Sequence, residues 1–322
     1  MELRRLIREW FREHDFLEAE TPIMRPTPSQ EPYLEPFAVT VKNERGQTVP
    51  GALITSPEFS LKKLLTVGYP RLFELARCFR NGEPADDSHN PEFTMLEWYR
   101  ANADYRDLMN DTESLVSDLA LKLHPGPLTQ HPDLDLSKPW ERLTVRDALS
   151  RYASIDLDAL LDAESSEQAF RDVLLARGMV VRGDESFDEC FFKVFLTEVE
   201  PKLGLTKPTM LYDYPASMAA LARLKAEDPR YAERVEVYAG GLELSNGFSE
   251  LTNAEEQRKR FIEDQEVKRR EGKQVFPIDE EFIAALAGGY PPSTGNAMGV
   301  DRLTMLLLDA PSIRDVLFFP WN

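Results

Sequence analysis

The chain has 322 residues, enough for one large domain or two ordinary ones with a sizeable core. A composition of 42% hydrophobic and 29% charged residues excludes a disordered chain, and no run of about 18 apolar residues marks a membrane span. The formal net charge of −18 argues against a protein built to grip nucleic acid, because phosphate contacts normally need a basic surface.

The first residues, Met1 to Leu6, mix acids and arginines with leucine and lack the apolar run of a secretion signal, so the cytoplasm is the expected compartment. Leu3, Leu6, Ile7, Trp10 and Phe11 recur at helical spacing, which predicts a helix over 1–18, with the chain extended from Leu17 and stopped by Pro22. Residues 24–36 read as a proline-rich loop, and 37–41 and 52–55 as short strands. Ser56-Pro57-Glu58 supplies a cap, a proline and an acid at the start of a helix to about Val67. Residues 72–79 and 93–99 form a long hairpin around a polar loop, followed by a helix over 105–121.

The proline-rich stretch 124–139 is the best internal boundary, and a mostly helical insertion is expected at about 140–205. A strand at 208–214, a strand pair over 234–248 with a Gly-Gly turn, helices at 253–272 and 282–287, and a strand-to-helix passage at 295–308 complete the chain. The two cysteines, Cys78 and Cys190, are read as buried thiols, and the four scattered histidines have no zinc spacing.

Four constellations carry chemistry. In the hairpin, Arg80, His89 and Phe93 offer cations for phosphates and a ring for a purine; a solvated loop with one buried aromatic is the bland alternative. In Gly295-Asn-Ala297-Met-Gly299-Val-Asp301-Arg302, alternate small residues let a ligand approach a strand, and an arginine at a helix start opposes the dipole. Tight strand-to-helix packing would also explain it. Glu243 and Glu250, seven residues apart, could hold magnesium only if the intervening Asn246-Gly247 bends the chain. Two exposed acids among 56 are the plain alternative. Glu97, between apolar neighbours, is expected to be half-buried and to want a cation, from the protein or from a ligand.

Together these segments resemble, in order, the three signature motifs of class II aminoacyl-tRNA synthetases. The helix running to Pro22 resembles motif 1, Phe79-Arg80…His89-Asn90-Pro91-Glu92-Phe93 motif 2, and Gly295 to Arg302 motif 3. Thr55-Ser-Pro-Glu58, Leu96-Glu-Trp-Tyr99 and Asn246-Gly-Phe-Ser-Glu250 are similar to lysyl-tRNA synthetases in particular, and the similarity covers nearly the whole chain. It departs from them where motif 1 starts at Met1, with no room for an anticodon-binding barrel. Ala297 stands where those synthetases carry the middle glycine of motif 3. Both features resemble the truncated branch of the family that attaches (R)-β-lysine to a lysine of elongation factor P. Motif 2 also departs, reading Arg80-Asn81-Gly82-Glu83 in place of Arg-x-Glu.

The resemblance implies an α+β catalytic core, an antiparallel sheet flanked by helices, and a homodimer built on motif 1. It implies an AMP-forming ligase that uses ATP and Mg2+ to activate β-lysine or lysine, with elongation factor P as acceptor and no tRNA or membrane partner. Two alternatives remain at this point, another acceptor or a silent paralogue serving as a regulatory subunit. Arg80, Asn81, Glu83, His89, Asn90, Phe93, Glu243, Leu244, Gly299 and Arg302 would bind ATP, with Arg80 and Arg302 catalytic. Ser56, Pro57, Glu58, Glu97, Tyr99, Asn246, Glu250 and Ala297 would bind the amino acid, and Glu243 and Glu250 the metal.

Overall fold

The computed structural model describes residues 1–84, 86–124 and 126–321. The amphipathic start forms α1 (Glu2–Glu13), which buries Leu3, Leu6, Ile7, Trp10 and Phe11. It ends earlier than residue 18 because Asp15 takes a left-handed φ of 63°, after which β1 (Leu17–Glu18) joins a sheet. β2 (Met24–Arg25), β3 (Ala38–Lys42) and β4 (Thr48–Leu53) make a separate three-stranded sheet. Then come α2 (Glu58–Thr66), the hairpin β5 (Arg71–Phe79) and β6 (Glu92–Ala101), and α3 (Tyr105–Leu123). Asp104 caps α3 in a full capping box with Asp107.

β7 (Glu141–Thr144) leads into four helices, α4 (Val145–Ala153), α5 (Leu157–Leu161), α6 (Ser166–Ala176) and α7 (Phe187–Val194). β8 (Thr209–Pro215), β9 (Tyr231–Ala239) and β10 (Leu242–Ser249) follow. The chain closes with α8 (Ala254–Arg270), α9 (Glu280–Ala287), β11 (Ser293–Gly299) and α10 (Val300–Leu307).

The main sheet has eight strands in the order β1-β5-β6-β11-β10-β9-β8-β7. Its central pairs are antiparallel, and only the two outer pairs, β1 with β5 and β7 with β8, are parallel. Because side chains alternate across a strand, the two faces separate cleanly. Leu96, Trp98, Met298, Val235 and Val237 join α1, α3 and α10 in one apolar core. Phe11 stacks on Phe73 at 4.5 Å there, and each such fully buried ring contributes roughly 2–3 kcal/mol.

The opposite face carries Glu97 and Tyr99 of β6, Gly295 and Ala297 of β11, Asn246 and Phe248 of β10, and Arg234 and Glu236 of β9, brought side by side by register. The helices α4 to α7 pack a second core against β8 and β9, and α2, α8 and α9 share a third in which Phe59 stacks on Phe282. Cys78 and Cys190 are both buried and unpaired. Among the described residues no helix is long and apolar enough to cross a membrane.

Candidate active site

Over the polar face of the sheet lies a cavity of about 960 Å³. Its walls include every residue singled out above for ATP or amino acid except Pro57 and Glu250. Pro57 is buried at the head of α2, where its carbonyl accepts from the amides of Ser60 and Leu61, so its work is helix initiation and not ligand contact.

At one end the floor is built by strand register. Glu97 pairs with Ala297, which pairs in turn with Asn246, so carboxylate, methyl and amide stand in a row. Glu97 is 1% exposed, fully buried where half-burial was expected. Its carboxylate accepts from the Ser56 hydroxyl and from Tyr99 Oη at 3.1 Å. Ser56 Oγ also accepts from the Glu58 amide at 3.0 Å, tying the helix head to the pocket. Burial and then the neighbouring Glu58 push the Glu97 carboxyl well above the usual range. A cationic ligand would relieve both.

Gly295 is required there, because a Cβ would fall 2.2 Å from the Tyr99 ring and 2.4 Å from Glu250 Oε1. The close approach at Gly295 is therefore made by the protein's own groups, while Gly295, Ala297 and Gly299 all border the cavity.

The other end is built from the hairpin loop and the first turn of α10. Arg302 donates to the Glu243 carbonyl at 3.0 Å and to the Ser88 carbonyl at 3.3 Å, and its other amine lies 2.8 Å from His89 Nε2. His89 Nδ1 lies 2.8 Å from Asp86, which holds the ring in place and lowers the Asp86 carboxyl to about 2 against the effect of burial. Arg80 sits 5.1 Å over the Phe93 ring, and its buried Nε has no hydrogen-bond partner among the described residues. An orphaned guanidinium N–H facing a cavity is suited to a phosphate or carboxylate oxygen. Gly82 takes a left-handed φ of 70°, a turn that brings Glu83 to 3.7 Å from His89. Asn81 donates to Glu35 at 2.8 Å, and Asn90 accepts from the Trp321 amide at 2.8 Å; both act on neighbouring chain segments.

The pairing of Glu243 with Glu250 needs correction. They do share a face, because a bulge at Leu244 adds one residue between Glu243 and Ser245. The Asn-Gly pair does not bend the chain: Gly247 is glycine because a Cβ would fall 2.5 Å from Leu108 of α3. But the two acids lie six strand rises apart, roughly 20 Å. Glu250 lies instead 2.5 Å from the buried Lys62 ammonium. The carboxylate acting most on Glu243 is Glu236; after burial it is the strongest influence raising Glu243 to about 7. Leu244 turns its side chain into the apolar core, so at most its backbone meets a ligand.

Lys62, Arg234 and Glu236 escaped the sequence reading. Lys62 follows Glu58 by four residues on α2, the spacing of a helical ion pair, and that was the available signal. Arg234 and Glu236 sit two apart on β9 and are joined at 2.6 Å; Glu236 also accepts from Tyr214 and from Tyr238 at 2.6 Å. Their alternation within an apolar strand was visible, but their convergence on Glu243 depends on register across two strands.

Residues 1–322 match the family described as tRNA synthetases class II (D, K and N). The chain is 40% identical over 317 residues to the elongation factor P–(R)-β-lysine ligase of Proteus mirabilis, covering 98% of this chain and 91% of that protein. It is 40% identical over 314 residues to the ligase of the same name from Salmonella heidelberg, covering 97% and 91%. It is also 39% identical to the lysine–tRNA ligase of Magnetococcus marinus, where the match covers 98% of this chain but only 61% of the relative.

Proposed function

This chain belongs to the class II tRNA synthetases of the D, K and N type, and on that footing we propose that it activates (R)-β-lysine or lysine with ATP and transfers it to a lysine side chain of elongation factor P. The observation that carries the reading is the polarity of one cavity: a buried carboxylate floor at Glu97 and a cationic end at Arg80 and Arg302. An amino acid with a side-chain ammonium fits with that ammonium toward Glu97 and its carboxylate toward the arginines.

In the first step a substrate carboxylate oxygen bonds to the α-phosphorus as the bond to pyrophosphate breaks. Arg80, with its free Nε, faces the charge that develops at phosphorus, and Arg302 the departing phosphates; such preorganised donors supply much of the rate. Phe93, beneath Arg80, offers a face for the adenine. In the second step the acceptor amine bonds to the acyl carbon, AMP leaves with the electrons of its bond, and the amine sheds a proton. No side chain is assigned as general base.

Glu243 and Glu236 fit a magnesium ion better than Glu243 and Glu250. Their hard oxygens lie near one another, and burial with Glu236 keeps the Glu243 carboxyl raised despite Arg302, Arg234 and Arg80 nearby, which a further cation would relieve. Among the described residues no three acids, histidines or cysteines gather at one point, so phosphate oxygens would complete the coordination. The ion would neutralise charge on ATP phosphates.

A homodimer fits the parallel edge at β1 and the exposed Leu17, Ile23 and Met24 after α1, surfaces that a second copy would cover. The cytoplasm is the compartment in which this acceptor would be met.

The test is pyrophosphate exchange with lysine and β-lysine, then transfer assays with elongation factor P and with tRNA. We expect exchange with both isomers or with β-lysine alone, one aminoacyl group on the protein acceptor, and no charged tRNA. The last expectation follows the −18 charge, which slows encounter with a polyanion. Efficient tRNA charging would overturn the acceptor assignment in favour of the lysine–tRNA ligase reading.

A further inference from the structure

Behind the pocket floor sits a lysine whose ammonium reaches no solvent. Lys62 is 2% exposed, and its Nζ lies 2.5 Å from Glu58 and 2.5 Å from Glu250. Three rings, Tyr99, Phe248 and Phe282, surround it at 5.9, 5.6 and 5.9 Å. Glu250 is 1% exposed, and its Oε1, which lies 2.4 Å from where a Cβ on Gly295 would stand, has no hydrogen-bond partner among the described residues. A buried cation between two carboxylates, one of them with an oxygen beside Gly295 of the cavity wall, is more than a fold-stabilising pair requires.

We propose that Lys62 is a specificity-determining positioning residue: it holds Glu58 and Glu250 in place behind the pocket, so that the site can take an amino acid bearing two ammonium groups. The inference deepens the functional reading above and rests on it. Glu58 and Glu250 share the Lys62 ammonium and Glu97 lies at the same end of the cavity, so the three carboxyls, once ionised, would leave two negative charges beyond that ammonium. A diamino acid whose carboxylate is directed to phosphorus presents two positive ones.

The groups facing Lys62 and Glu250 are Glu58 on α2, Glu97 and Tyr99 on β6, and Tyr290 beyond α9. None of these except Lys62 is a cation. Burial pushes Glu250 up to about 8 even with Lys62 pulling it down, so without Lys62 that carboxyl would hold its proton further into the alkaline range.

The experiment uses the full chain and measures binding by calorimetry from pH 6 to pH 9. The ligands are β-lysine, lysine, norleucine (which lacks only the side-chain amine of lysine) and ATP, and the lysine isomer that the wild type binds more tightly is the one used in each comparison. The wild type should bind lysine at least 100-fold tighter than norleucine and release protons on doing so. Lys62→Met should weaken lysine at least 100-fold at pH 7, keep ATP within threefold, and regain lysine affinity toward pH 9. Lys62→Arg should recover part of the lysine affinity. A purely structural lysine would instead weaken both ligands together, with no pH dependence.

Lysine binding by Lys62→Met within threefold of wild type, or equal loss of both ligands at every pH, overturns the inference. If Lys62→Met does not fold, equal wild-type affinity for lysine and norleucine overturns it. A wild type that binds neither lysine isomer overturns the functional reading, and this inference with it.

Discussion

The two ends of the cavity are made in different ways. The proposed amino-acid end is a product of strand register: Glu97, Ala297 and Asn246 are adjacent because β6, β11 and β10 are, and Glu97 is held there by the half-buried Ser56 and the buried Tyr99. The nucleotide end hangs on the loop between β5 and β6 and on the first turn of α10, and Arg302 there is held by backbone carbonyls and a histidine. The first end can discriminate, because nothing in it moves without disturbing the sheet. The second can adapt, since Arg302 can exchange carbonyl oxygens for phosphate oxygens at modest cost. Substitutions should therefore act on substrate choice at one end and on ATP use at the other.

Arg302→Ala should have the largest effect. It removes the cation that links the loop to β10 and that is proposed to meet the phosphates, and pyrophosphate exchange should fall about 10³-fold, the scale of losing preorganised donors in a transition state. The side chain is half-exposed, so the melting temperature should hold within a few degrees. Normal exchange in a folded variant would remove Arg302 from the ATP end. Glu97→Gln should act next, and oppositely. Lysine binding should weaken by about 3 kcal/mol, the scale of leaving a buried charge unpaired, with ATP binding nearly unchanged. Exchange persisting at ordinary lysine concentrations would make Glu97 a structural acid and dissolve the contrast between the ends.

Ala297→Gly probes one methyl between Glu97 and Asn246. Removing it enlarges the floor without touching a charge, so preference should move from β-lysine toward lysine by roughly 10- to 200-fold. Unchanged ratios of kcat/KM for the two isomers would show that the floor does not read the position of the amine.

The contrast also explains what could be read in advance. α1, the β5–β6 hairpin and the passage from β11 to α10 were legible because periodicity and capping are local signals. Arg80, His89, Phe93 and Arg302 were legible because each lies within a short motif that carries its own chemistry. Lys62 was not, since a lysine four residues after a glutamate usually lies on a wet helix surface, and only the docking of α2 on β6 and α9 buries it. The acids proposed for magnesium differ from those read in the sequence for a related reason. Counting parity along one strand favoured Glu250, whereas the bulge at Leu244 and the neighbouring strand β9 make Glu236 the companion of Glu243. Long-range register, absent from any local window, decided both.

The smallest effect should come from pH, and it cuts across stability and binding with opposite signs. Burial raises Glu250 to about 8, and burial together with Glu236 raises Glu243 to about 7. A carboxyl whose folded value lies above its unfolded one keeps its proton more readily when folded. Its contribution to stability is therefore fully present below the unfolded value, near 4.5, and is lost as pH rises through 7 and 8. The ligand-free protein should accordingly lose a few degrees of melting temperature between pH 6 and pH 9, measured by scanning calorimetry. Lysine needs the Glu250 carboxyl at its end of the cavity ionised, so its affinity should rise over that range, by up to roughly tenfold per pH unit below 8, and then level. The stabilisation that saturating lysine confers should thus be larger at pH 8 than at pH 6. Melting temperatures that rise with pH in the absence of ligand, or lysine affinity that is flat from 6 to 8, would mean that these carboxyls are already ionised in the empty site. The amino-acid end would then be charge-balanced before its substrate arrives, and the distinction between a selecting end and an adapting end would rest on geometry alone.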